Sequence, residues 1–197
     1  MVTPVRVADV TAPSLGTLTW QPAADRPDLL AAPVAALVGA TEADLYVSEI
    51  DPSLADTAAF CAAYEVSPGA SANCVVVAGR RAETTTTAAC LVLASDRADV
   101  NKTVRKHLDV RKISFASMED AVARTGMEYG GITPVGLPAD WPILVDTAVT
   151  RQPWLVIGSG LRRSKIAVSG AALAGLPGVT VLDLAIASTP DAGAPTA

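Results

Sequence analysis

One histidine, His107, and three cysteines, Cys61, Cys74 and Cys90, are all that the 197 residues offer to soft metals or imidazole chemistry. The cysteines are odd in number and widely spaced, so neither a disulfide framework nor a zinc site can be built from them. They read as three reduced thiols packed as small hydrophobes. His107 lies in a basic segment with no acid assigned to it, which leaves no footing for a Ser-His-Asp triad. Long hydrophobic runs are missing as well. Half the residues are hydrophobic, yet much of the excess is alanine. The longest apolar stretch, 29–40, contains Pro33 and falls short of the roughly 20 residues that cross a bilayer. Residues 1–6 lack a basic segment leading into an apolar one, and a cytoplasmic address is expected. There is no Walker loop, no GxGxxG after a strand and no metal-ligand spacing, so neither a cofactor nor a metal is expected.

The net charge of −5 is unevenly distributed. Residues 1–65 carry −7 and the remainder +2. Lys102, Arg105, Lys106, Arg111 and Lys112 fall close together with only Asp109 among them, and Arg162, Arg163 and Lys165 form a second group. These clusters are candidates for phosphate contact, or else solvated faces.

Apolar periodicity and turn residues predict a strand at 16–20, a helix over 27–38 and a strand at 44–50. A helix over 53–64 follows, with Ser53 as its N-cap. Strands at 73–78 and 85–94 are joined by a polar turn and are therefore antiparallel. A basic helix over 98–108, a strand at 112–115 and a helix over 118–124 ended by Gly126 come next. Strands near 143–145, 154–157 and 165–168, a small helix from Gly170, a strand at 179–184 and a disordered tail at 187–197 complete the chain. Strict β-α alternation is absent, so the fold class is α+β, with a mixed, curved, barrel-like β-sheet surrounded by helices. One domain over 1–186 is expected, in which 1–50 is an extension packed on a core at 53–185.

The segment 130–138 holds Gly130, Gly131 and Gly136 with Pro134 and Pro138. Glycine lets a ligand approach bare backbone N–H groups and proline fixes the loop's shape. In isolation such a string is also a tight β-turn. Preceded by Thr125-Gly126-Met127-Glu128-Tyr129, it resembles the loop TGxxxGGISPxG of the YbaK/EbsC-like, ProX-type aminoacyl-tRNA deacylases.

That resemblance implies editing of misacylated tRNA by ester hydrolysis. It makes the tRNA acceptor end the partner, leaves room for an aminoacyl-tRNA synthetase as a second, and involves neither membrane nor DNA. Gly130, Gly131 and Ile132 would offer N–H groups to the oxyanion, with Thr133 and Pro134 lining the aminoacyl pocket. Gly158, Ser159 and Gly160 resemble the family's second small-residue loop. Asn73 stands where the family carries a lysine that holds the terminal phosphate. Either Asn73 keeps a positioning role, or Lys102, Arg80 or Lys165 reaches in, or the protein binds an aminoacyl or nucleotide-like ligand without turnover. Cys74 is not a simple replacement, because adjacent strand residues face opposite sides. Lys102, Arg105, Lys106 and Lys165 are the candidate tRNA contacts. Asp146 either touches substrate or is a satisfied strand-end carboxylate.

Overall fold

The computed structural model describes residues 12–41 and 43–187. Its strands are β1 Gln21–Pro22, β2 Tyr46–Glu49, β3 Ala72–Arg81, β4 Thr84–Leu93, β5 Asp96–Ala98, β6 Lys112–Phe115, β7 Ile143–Asp146, β8 Leu155–Gly158, β9 Ser164–Val168, β10 Val179–Leu182 and β11 Ala185–Ala187. The α-helices are α1 Ala32–Val38, α2 Thr57–Ala63, α3 Arg105–His107, α4 Met118–Thr125, α5 Thr147–Thr150 and α6 Gly170–Ala174. The expected leader-free start and the tail beyond Ala187 lie outside the described residues.

Two sheets form the body. One is antiparallel in the order β1-β2-β9-β8, and the other is mixed in the order β10-β7-β4-β3-β6. In the second, β3 pairs antiparallel with β4 and β6, whereas β7 runs parallel to β4 and β10. A third ladder joins β5 to β11. The class is mixed α+β, as expected, but the sheets do not close into a barrel. Among the described residues their backbones pair at one parallel bridge, Ser71 to Val156.

Side-chain alternation assigns the layers. Leu91 and Leu93 of β4 meet Ile166 and Val168 of β9 in the main core, joined by Leu29, Val34 and Val47. The segment before β3 thus supplies part of that core. Cys90 and Val92 face the other way, onto Val100, Val104 and Leu184. On the outer face of the first sheet, Val156 and Ala167 pack against Phe60 and Cys61 of α2.

Local differences from the expected elements have physical causes. No strand forms at 16–20: Gly16 has φ +60° and a Cβ there would lie 2.0 Å from Tyr64 O, so the chain turns tightly against α2's end. The N-cap of α2 is Asp56, which accepts from the N–H groups of Ala58 and Ala59 at 3.0 and 3.4 Å. Ser53 sits in the preceding 3-10 turn, Pro52–Leu54, under Asp51. The basic helix is replaced by a wide π-turn, Val100–Val104, and the single turn α3. There the Asp99 carboxylate accepts from the N–H groups of Lys102 and Thr103. By contrast, α4 ends at Gly126, left-handed at φ +65°, where the sequence places it.

Candidate functional site

The β3–β6 ladder begins at Val77, and its last flanking bond is Ala116 N–H to Val76 O at 2.9 Å. Upstream of that point the edge of β3 is open. A cavity of about 820 Å³ lies along it, and Asn73, Cys74, Val75 and Val76 all border it. Because the cavity runs along an edge rather than over a face, strand alternation does not separate Asn73 from Cys74. Other walls come from Asp56, Thr57 and Cys61 of the α2 region, Phe115 at the end of β6 and Ala116 after it, Tyr129, Gly130 and Ile132 of the loop, Gly158 of β8 and Lys165 of β9.

Lys165 alternates with Ser164 and Ile166 and so leaves the core for the α2 side of the sheet. It is 6% exposed. Its Nζ donates to Ala55 O at 2.9 Å and lies 5.1 Å from the Phe60 ring centroid. Among the described residues it makes no ion pair. Burial pushes its ammonium down to about 8, with Cys61 and Asp56 opposing the drop and Arg162 adding to it. Of the three cations held open from sequence, Lys165 borders the cavity, whereas Lys102 and Arg80 do not. Asn73 has a partner too: Thr57 Oγ1 donates to its amide oxygen at 2.5 Å, which leaves the amide nitrogen for a ligand.

The glycine loop is held from behind by the β8–β9 connection. Gly160 N–H donates to Gly131 O at 2.8 Å, and Glu128 N–H to Gly160 O at 2.8 Å. Gly158 is required by this approach, since a Cβ on it would lie 2.3 Å from Gly131 O. Gly131 is equally confined, with Leu161 backbone 2.7 Å from its Cβ position. Arg162 clips the loop to the α2 approach: it donates to Tyr129 O at 3.2 Å and to Pro52 O at 2.9 Å.

The donors differ from those expected. Gly131 N–H is taken by Glu128 O at 2.9 Å, closing a turn, and is therefore unable to serve an oxyanion. Gly130 and Ile132 border the cavity, and among the described residues their N–H groups have no acceptor. Gly130 reaches its position at φ +87°.

The other expected substrate contacts lie away from the cavity. Thr133 is fully buried, with no hydrogen bond to its hydroxyl among the described residues, and Pro134 is buried beside it. Ser159 is fully buried and its Oγ is 2.8 Å from Ser164 Oγ. Gly160, at φ +83°, packs against Ala31. These residues shape the loop from its core side. Asp146 is a satisfied strand-end carboxylate: it accepts from Ala148, Leu184 and Ala185 N–H at 2.8, 2.9 and 2.8 Å. Lys102, Arg105 and Lys106 are exposed and do not border the cavity. Thr57 and Phe115 were not singled out from sequence, and Cys61 and Tyr129 were named there only as a packed thiol and as part of the loop motif; the signal available for Thr57 was its place directly after the capping Asp56.

No helix among the described residues is long and apolar enough to cross a membrane. Among solved structures, a hypothetical protein superposes with a TM-score of 0.70 at 19% identity, over 78% of this chain and 99% of that one. A protein proposed to be a trans-editing enzyme for prolyl-tRNA synthetase superposes with a TM-score of 0.61 at 24% identity, over 71% of this chain and 85% of that one. No curated protein matches the sequence significantly. The profile of the aminoacyl-tRNA editing domain matches residues 51–176, a span that includes α2, the open edge of β3, the glycine loop and Lys165. The chain belongs to the aminoacyl-tRNA editing domain family.

Proposed function

We propose that the protein is a free-standing hydrolase that removes the amino acid from misacylated tRNA in the cytoplasm, alongside an aminoacyl-tRNA synthetase. One observation carries this reading. A single cavity holds a buried ammonium without a carboxylate partner and two backbone N–H groups without acceptors, among the described residues. Such a cavity favours a ligand that is anionic at one point and becomes anionic at another. A tRNA acceptor end meets both demands, with its terminal phosphate and its ester carbonyl.

In this reading Lys165 holds the phosphate, with the Asn73 amide nitrogen beside it. Water adds to the ester carbonyl carbon, and the oxygen that takes the charge lies against the N–H groups of Gly130 and Ile132. Donors fixed in advance are effective because the backbone need not reorganise as charge develops; losing one costs about 10²–10³ in rate. Collapse breaks the bond to the ribose oxygen, which leaves with the proton surrendered by the water. No imidazole borders the cavity, and the RNA's neighbouring ribose hydroxyl relays that proton.

A binding module that holds an aminoacyl or nucleotide-like ligand without turnover is the second reading, favoured by the lack of an imidazole or serine hydroxyl in the wall. A panel of mischarged tRNAs decides. The expected result is release of amino acid from at least one of them, reduced at least 10-fold in Lys165→Met; no release across the panel leaves the binding module.

A further inference from the structure

Eight aromatic residues are present in the whole chain. Six of them, Trp20, Tyr46, Phe60, Tyr64, Trp141 and Trp154, are buried or half-buried. The remaining two, Phe115 at 66% and Tyr129 at 57% exposure, both border the same cavity. Exposing an aromatic ring forgoes the burial that makes such residues useful in a core. To expose the only two available, at one opening, calls for a ligand with a flat apolar face.

Their backbones are fixed, although their rings are not engaged. Phe115 closes the β6 ladder opposite Val77, and the next residue is anchored by Ala116 N–H to Val76 O at 2.9 Å. Tyr129 O accepts from Arg162, and Tyr129 lies inside the turn closed by Gly131 N–H on Glu128 O. Neither ring stacks on another aromatic, and the Tyr129 hydroxyl has no hydrogen bond, among the described residues. Inside the opening lie the Lys165 ammonium and the free N–H groups described above. A ligand with its anionic part inside and a planar ring at the entrance matches this order.

We propose that Phe115 and Tyr129 form a stacking platform for an unpaired nucleobase at the 3′ end of a single-stranded RNA. The proposal rests on the tRNA reading for the identity of that RNA, though not on turnover. Every base has a π-face, and stacking on an aromatic side chain strengthens binding by about 5–150-fold per base. The platform therefore supplies affinity for any terminal base and leaves sequence choice to other contacts.

The test uses the intact protein and an RNA trinucleotide whose 3′ base is 2-aminopurine, a fluorophore quenched by stacking. Quenching is expected with the wild type. Phe115→Ala and Tyr129→Ala should each weaken binding by roughly 10-fold, and the double variant should abolish the quench. Phe115→Tyr should restore it and Phe115→Leu should not. Both positions are exposed, so unchanged circular dichroism and Tm are expected. In turnover, the alanine variants should raise KM for aminoacyl-tRNA with kcat changed less than twofold. Affinity retained within twofold in the double variant would overturn the platform, as would a fall in kcat with KM unchanged. Loss of self-association in the variants, seen by sedimentation, would instead assign the patch to a second copy of the chain and also overturn it. If no ester is hydrolysed but the aromatic-dependent quench persists, the deacylase reading fails and the platform stands.

Discussion

Lys165 carries a buried charge with few acceptors around it. A buried ammonium is costly unless several acceptors surround it, and here a single carbonyl, Ala55 O, and the Phe60 ring face it. Asp56 and Cys61 raise its basicity, Arg162 lowers it, and burial outweighs them all, giving about 8 against an ordinary 10.5. The unfolded chain thus binds more protons than the folded one between about pH 8 and 10.5, and the cost of burying the charge is fully present below that window and disappears as pH rises through it. Lys165→Met should therefore stabilise the protein by about 1–3 kcal/mol at pH 7 while weakening binding of an RNA 3′ end at least 10-fold. Burial also raises the thiols of Cys61, Cys74 and Cys90, which makes stability fall as they ionise. The informative quantity is accordingly the difference between variant and wild type in denaturant titrations, which should shrink from about pH 8 upwards. RNA affinity of the wild type should decline over the same range, as the ammonium loses its proton. A difference that stays constant with pH would mean that the folded and unfolded chains hold this proton alike and that burial does not lower the Lys165 ammonium.

The element that positions chemistry is the pair formed by the glycine loop and the β8–β9 connection. Their backbones meet at Gly158 and Gly131, where a Cβ at Gly158 would lie 2.3 Å from a carbonyl oxygen. Gly158→Ala should push the loop away from the cavity, lowering turnover at least 10-fold and stability by about 1–3 kcal/mol, the usual cost of overpacking. Asp146 marks a different kind of element contact. It caps α5 and accepts from Leu184 and Ala185 N–H, so Asp146→Ala leaves three donors without acceptors. A loss of about 2–5 kcal/mol in unfolding free energy is expected, with activity per folded molecule unchanged; loss of activity without loss of stability would return Asp146 to the substrate. These cases show what was legible. A glycine cluster announces a close backbone approach; Gly130 and Ile132 were singled out from it and Gly158 from the family resemblance, and all three border the cavity. Which N–H remains free depends on where Glu128 O falls, and no residue type encodes that. The Gly126 stop and the β3–β4 pairing follow from local chemistry and were readable. The cap at Asp56 rather than Ser53, and the π-turn under Asp99, depend on which of several nearby polar side chains wins the N–H groups.

At the scale of the whole molecule, the two sheets leave an opening because, among the described residues, their backbones pair only at the Ser71–Val156 bridge, and the cavity occupies the edge that a closed barrel would have paired. The sequence pattern reports strand faces, not the closure of sheets, which is why Asn73 and Cys74 looked mutually exclusive and prove to be neighbours in one wall. Charge is arranged on the same scale. The molecule is acidic overall at −5, so any long-range attraction for RNA must come from local basic surface, of which exposed Lys102, Arg105 and Lys106 form one cluster outside the cavity. If they meet acceptor-stem phosphates, replacing each by alanine should reduce the slope of log affinity against log salt by about 0.7–0.9 for every phosphate no longer neutralised, with little effect on the turnover of bound substrate. Lys165→Met should reduce the slope by a similar single step and impair turnover as well, because in the proposed reading its phosphate is the one next to the ester. Binding to a full tRNA measured between low and moderate salt, in the triple variant beside the wild type, separates the two contributions: an unchanged slope in the triple variant would confine phosphate contact to the cavity.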